Sequence, residues 1–398
     1  MRRARLFRAV LVCVAALALA AEACAESNPR VGFYQWAGEN PLADDDLLTA
    51  ARARVKAAGA GLLRLYLGAR FDYVRPVLSP DRFAGLKERT PAAILQLPRY
   101  RAVLEDPELA TVVLTTYTSA DYGAGPDDLN LLRPWGERER EHEYRQIFEL
   151  ARLLLSRYGD RPKTVIISNA EADDKMLEIM QYSGSPDLAI ENLRAWQNTR
   201  FRAVDEARRL HPKARLRLLA AFEISLVNLK IRRRGGRFVK DPAGSWNALS
   251  DVVPHVRFDI LSYSSYESTN SPYETRRVDA PPGDVEARLL RDLKHIRRVA
   301  GTPVMIGELG MAREVFEGLP SGGVEPRLDA ALKALRAARP EYVVFWQAFD
   351  APADGPPPFG WGWLVPRRPA PPALLDFIRE FRRPAKGASR AGDWPQIP

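Results

Sequence analysis

Cysteine is almost absent from the 398-residue chain: Cys13 and Cys24 are the two present, and both fall within the first 25 positions. Beyond them, a disulfide framework and thiolate metal ligation are both excluded. Histidine is nearly as scarce. His142, His211, His255 and His295 are widely spaced, whereas zinc sites pair their ligands at short intervals, so no metal is expected. No G-x-G-x-x-G follows the first strand-like run, which argues against a doubly wound dinucleotide-binding sheet. No G-x-S-x-G elbow is present and no histidine lies near a plausible nucleophile, so a serine esterase or peptidase has little support. No motif asks for a cofactor. Long hydrophobic runs are missing beyond residues 9–21, and that run falls short of the ~20 residues needed to cross a bilayer. No stable membrane span is expected.

What is present describes a large globular chain, with 46% of residues hydrophobic and 27% charged. Its start stands apart. Arg2, Arg3, Arg5 and Arg8 precede the apolar run, and Ala23-Cys24-Ala25 follows it. A basic start, a short apolar middle and an A-x-A exit describe a secretory signal peptide, residues 1–25, and hence a secreted or periplasmic protein. Acylation of Cys24 is the rival reading, which Ala21 and Glu22 disfavour. The formal charge of +9 would suit nucleic acid, but export and the 50 acids spread along the chain argue against that partner.

Short apolar runs at 31–36, 61–68, 111–118, 163–169, 216–224, 258–266, 302–308 and 341–349 are rich in Val, Ile, Leu and aromatics without clean alternation. That pattern suits strands covered on both faces. Helical spacing marks 43–58, 140–158, 185–211, 283–300 and 325–338, with short helices in 78–106 and a closing helix at 374–381. Eight such strands separated by helices predict a single-domain (β/α)8 TIM barrel over residues 26–383, followed by a mobile tail, 384–398. Residues 230–240, with Gly235-Gly236 at the centre, read as a basic hairpin after the fifth strand. The proline-rich stretches 351–358 and 367–372 read as loops.

In such a barrel the reactive groups stand at the C-terminal strand ends. Those ends are acidic and aromatic. The fourth run passes into Asn169-Ala170-Glu171-Ala172-Asp173, the seventh ends in Gly307-Glu308, and the eighth carries Trp346-Gln347 and Asp350. Two carboxyls facing one another across the mouth are what glycosidic cleavage requires. A separation of about 5–5.5 Å gives retention of configuration and about 6.5–9.5 Å inversion. Asp173 and Glu223 compete with Glu171 for the acid role. Indole faces stack on pyranose rings, and Trp36, Trp361 and Trp363 also fall at loop ends, where packing is the simpler reading. The arginines of the hairpin (Arg232, Arg233, Arg234, Arg237) and Lys240 could attract an anionic polysaccharide, although such runs are commonly a solvated face.

This set resembles the clan A glycoside hydrolases, retaining (β/α)8 enzymes with an acid/base Glu after strand four and a nucleophilic Glu on strand seven. The resemblance implies Glu171 as acid/base and Glu308 as nucleophile. It further implies Asn169, Arg64, Tyr263 or Tyr266, and Trp346 as groups binding a carbohydrate substrate or orienting the nucleophile. The family places Asn directly before its acid/base Glu. Here Ala170 intervenes, so either Asn169 loses its contact with the sugar 2-hydroxyl or a local bulge restores it. A non-hydrolytic carbohydrate-binding barrel is the alternative.

Overall fold

A computed structural model describes residues 27–36, 46–68, 90–117, 131–269, 281–311, 313–316, 323–349, 362–364 and 369–381. The proposed leader, the tail, Trp361 and the proline-rich stretch 351–358 lie outside these residues.

Eight parallel strands close into a barrel: β1 (Asn28–Gln35), β2 (Ala60–Tyr66), β3 (Thr111–Thr115), β4 (Thr164–Ser168), β5 (Arg217–Ile224), β8 (Ile260–Ser264), β9 (Val304–Leu309) and β10 (Val343–Trp346). Each matches one of the eight apolar runs. Between β5 and β8 the chain forms an antiparallel pair, β6 (Lys230–Arg234) and β7 (Arg237–Asp241). Its turn uses Gly235 and Gly236 at φ 57° and 81°, the left-handed region where a Cβ would be strained. The sheet turns in sequence order, β1 pairing with both β2 and β10, so no strand edge is left open.

Helices α1 (Leu47–Ala57), α2 (Glu137–Tyr158), α3 (Ala172–Ser183), α4 (Pro186–Leu210), α5 (Pro282–Ala300), α6 (Val324–Ala338) and α7 (Pro372–Glu380) cover the barrel. Their ends follow local chemistry. Ser185 caps α4 by accepting from the Leu188 amide at 3.2 Å, Pro186 opens its first turn, and Arg208 and Arg209 sit in its last. Gly184 and Gly301 stop α3 and α5 in the left-handed conformation. The sequence reading named no helix for α3, although Met176, Leu177, Ile179 and Met180 carry helical spacing. Short helices Pro91–Leu95 and Pro98–Glu105 fall where they were expected. No helix among the described residues is long and apolar enough to cross a membrane.

All seven residues of β2 are buried, because one face meets the helices and the other fills the barrel. Within that strand Arg64 is fully buried. A guanidinium taken out of water needs charged partners, and those partners define the site.

Strand β9 carries one irregularity that matters for its function. Tyr263 pairs with Ile306 while Ser264 pairs with Glu308, so Gly307 is an extra residue opposite β8. Against β10 the register also slips, from Val343 opposite Ile306 to Phe345 opposite Leu309. A bulge of this kind resets side-chain alternation and re-aims the residue that follows, here Glu308.

Candidate active site

The C-terminal strand ends open into a cavity of about 760 Å³, within the size range of small-molecule sites. Its aromatic wall comes from Tyr34, Trp36 and Trp346, its acids include Glu171, Glu267 and Glu308, and Tyr266 and Tyr117 add hydroxyls to the lining. A second cavity of about 770 Å³ lies at the opposite end, where the chain leaves α2 and α4 to enter β4 and β5. It holds none of these groups. Among the described residues no cluster of three His, Cys, Asp or Glu is placed to hold a metal.

Arg64 organises the floor. Its Nη1 and Nη2 donate to Glu223 Oε2 and Oε1 at 2.6 and 2.8 Å, a bidentate ion pair. Nε donates to Thr115 Oγ1 at 2.8 Å and Nη1 to the Gly307 carbonyl at 3.0 Å. Nη2 also lies 3.5 Å from Glu308 Oε1, and the guanidinium stacks 4.4 Å from the centre of the Tyr34 ring. The expected link between Arg64 and Glu308 is therefore present, but the guanidinium bonds more closely to Glu223.

Glu308 accepts from the Tyr266 hydroxyl at 2.9 Å. Burial pushes its carboxyl up to about 8, while Arg64 and the Tyr266 hydrogen bond pull the other way and Glu223 adds to the rise. Glu171 stands where β4 gives way to α3, and its carboxyl has no hydrogen-bond partner among the described residues. Burial raises it well above the usual carboxylate range. The charges of Glu308, Asp174 and Glu223 raise it further, against Lys240. Burial thus raises both acids, but Tyr266 and Arg64 favour the ionised form of Glu308, whereas Glu171 has no such donor among the described residues.

A consequence for stability follows from linkage. A carboxyl that titrates near 8 when folded, and near the ordinary carboxylate value when unfolded, favours the folded state at low pH. That contribution is lost as pH rises through about 8. The Tm of Glu308→Gln relative to wild type should therefore rise between pH 5 and pH 8.5 by at least about 2 °C. Circular-dichroism melts at both pH values would measure it, and a constant difference would contradict the perturbed titration of Glu308.

Two residues expected at the sugar are placed elsewhere. Asn169 is buried, its Oδ1 accepting the Glu223 amide at 2.8 Å and its Nδ2 donating to the Ala170 and Glu223 carbonyls at 2.5 and 3.3 Å. It ties β4 to β5 and is not among the residues that line the cavity. Tyr263 is also corrected. It is fully buried and its hydroxyl meets Ser268 Oγ at 2.8 Å. Strand alternation turns Ser262 to Glu223 inside the barrel and therefore Tyr263 outward, leaving Tyr266 as the tyrosine on Glu308.

Neither competitor for the acid role reaches the cavity. Asp173 accepts the amides of Ser225, Leu226 and Ala248 at 2.7–3.0 Å, so it clamps the loop after β5. Glu223 is fully buried under Arg64 and Ser262. Trp346 does line the cavity, packed edge-on to Tyr34 at 4.8 Å and tilted against Trp36 at 5.9 Å. Trp36 is thus a wall residue, whereas Trp363 is buried and donates to the Trp346 carbonyl at 2.9 Å.

Of the remaining wall, the sequence reading named Lys240 but none of the residues from α3. Asp174, Lys175 and Glu178 reach the cavity from α3, and Lys240 from the hairpin. Lys240 pairs with Asp174, and Lys175 with Glu178 at 2.5 Å. Recognition of α3 in the sequence would have placed 174 and 178 together one turn apart.

No family model matches the chain, and no curated protein matches it. Solved structures do. A Bacteroidetes-affiliated GH5 cellulase linked with a polysaccharide utilization locus superposes with a TM-score of 0.51 at 11% identity, covering 89% of this chain and 91% of its own. A GH5_18 structure from Bifidobacterium longum subsp. infantis gives 0.54 at 14% identity, over 90% and 80%. At such low identity the likeness establishes the architecture: the chain has the (β/α)8 barrel fold of these GH5 structures.

Proposed function

We propose that this protein is an exported glycosidase that cleaves a polysaccharide or oligosaccharide by double displacement with retention. The observation that carries the reading is the pair Glu171 and Glu308 in one aromatic-walled cavity, with donors on Glu308 alone. In the first step Glu308 attacks the anomeric carbon while Glu171 gives its proton to the departing oxygen. In the second Glu171 takes a proton from water, which attacks the same carbon and releases Glu308. Arg64 and Tyr266 hold the nucleophile, and Trp346 offers an apolar platform for the ring. The low likeness to GH5 structures is compatible with this chemistry without carrying it.

Both cavity lysines are paired with acids of α3, which favours a neutral sugar next to the acid. Arg233, Arg234 and Arg237 stand exposed on the hairpin, so an anionic glycan remains part of the proposal through contacts beyond the cavity. The test is a panel of neutral, amino-sugar and uronate glycans followed by reducing-end release. It is combined with labelling by 2,4-dinitrophenyl 2-deoxy-2-fluoro-β-glycosides and peptide mapping. Release from one substrate class with the fluorosugar on Glu308 is expected. Binding without release would favour a non-hydrolytic carbohydrate-binding barrel, and release without a trapped adduct would remove the retaining mechanism.

A further inference from the structure

The sequence supplies a third carboxylate to this floor that the two-glutamate reaction does not use. We propose that Glu223 is a positioning residue that holds Arg64 away from Glu308, so that the nucleophile is oriented without being neutralised. The inference rests on the proposed role of Glu308.

The geometry is unequal. Arg64 gives both Nη atoms to Glu223 at 2.6 and 2.8 Å, and reaches Glu308 at 3.5 Å. Ser262 donates to Glu223 Oε2 at 2.6 Å, which keeps that carboxylate turned to the guanidinium. Arg64 is itself braced by Thr115 and by the Gly307 carbonyl. A guanidinium bonded bidentately to Glu308 would hold that carboxylate strongly in its charged form and weaken it as a nucleophile. With Glu223 as the preferred partner, Glu308 keeps a contact that fixes its rotamer and most of its basicity.

The backbone makes room for this arrangement. A Cβ built on Gly307 would meet Glu223 Oε2 and Ser262 Oγ at 2.1 Å each, and Arg64 Nη1 at 2.9 Å. The same glycine is the bulged residue that re-aims Glu308. One position therefore admits the Glu223–Arg64 pair and sets the direction of the nucleophile, which couples the two physically.

The charged and titratable groups facing Glu308 are Arg64 from β2, Glu223 from β5, Glu171 after β4, Asp174 from α3, Tyr266, and Tyr34 from β1. Removing the charge of Glu223 takes away a repulsion and frees Arg64 to close on Glu308. Both changes lower the pH at which Glu308 ionises.

The experiment follows the Glu308 carboxyl directly, in full-length protein labelled with [5-13C]glutamate, its resonance assigned by loss in Glu308→Gln. In Glu223→Gln its midpoint should fall by about one unit. Glu223→Asp keeps the charge but loses reach, so it should move the midpoint less and in the same direction. If Glu223→Gln does not fold, the aspartate variant carries the test with the same sign. Hydrolysis of 2,4-dinitrophenyl β-glucoside, read as kcat/KM against pH, should show its acidic limb displaced equally. An unmoved or raised midpoint would overturn the proposal, since a purely structural role would lower kcat and leave the titration in place. A lowered midpoint in a protein that hydrolyses no glycoside would uphold the positioning of Glu308 and reject only the glycosidase reading.

Discussion

Replacing Glu308 by glutamine is expected to lower kcat by at least about 10⁴-fold on any substrate the protein cleaves, about 5.5 kcal/mol of transition-state stabilisation. The amide is nearly isosteric with the carboxylate, and its oxygen can still accept from the Tyr266 hydroxyl that lies 2.9 Å from Oε2. Trp346 and Tyr34 are untouched, so substrate affinity should remain within a few-fold of wild type. What is lost is the lone pair that bonds to the anomeric carbon, and neither of the two other carboxylates weighed from the sequence reaches the cavity to replace it. Asp173 is bound by three amides, and Glu223 lies beneath the guanidinium of Arg64. The measurement is the steady-state rate on 2,4-dinitrophenyl β-glycosides beside a binding isotherm for the matching oligosaccharide. A variant that still turns over within tenfold of wild type would remove Glu308 as nucleophile.

The Glu171→Ala variant should give a different signature. General-acid assistance is worth about 10²–10⁴-fold, and a sugar leaving group needs it while 2,4-dinitrophenolate does not. The rate on oligosaccharide should therefore fall by that factor, with the dinitrophenyl glycoside spared in its first step. Because Glu171 lines the cavity and has no hydrogen-bond partner among the described residues, its removal opens space without leaving a buried partner unpaired. Azide can enter that space and attack the glycosyl-enzyme as a small anion that requires no base. It should restore part of the rate and yield a β-glycosyl azide. The alkaline limb of the pH profile, which belongs to the strongly raised Glu171, should disappear. If the dinitrophenyl and oligosaccharide substrates slow equally and azide changes nothing, the acid must be sought elsewhere, first at Asp174 on the same wall.

Much of the fold was legible because parallel barrel strands are buried on both faces. Eight apolar runs mapped one to one onto eight strands, and the Gly235-Gly236 hairpin followed from turn chemistry alone. Helix α3 was missed although Met176, Ile179 and Met180 form its buried stripe. Of the site, Glu171, Glu308, Arg64, Tyr266 and Trp346 were readable as polar or aromatic residues at strand ends. Asn169 and Tyr263 were misplaced because the same strand ends also carry groups that brace the barrel.

Sequence by itself determined the barrel, through the burial that its apolar runs require, and it put the candidate carboxyls Glu171 and Glu308 at the ends of β4 and β9. Tertiary structure alone decided which neighbour each charged group would bond. Arg64 and Glu223 are remote in the chain, and a buried charge selects its partner only once strand closure has removed water and brought the two within hydrogen-bonding reach. The aim of Glu308 likewise depends on an extra residue at Gly307, visible only when β9 is laid against β8 and β10.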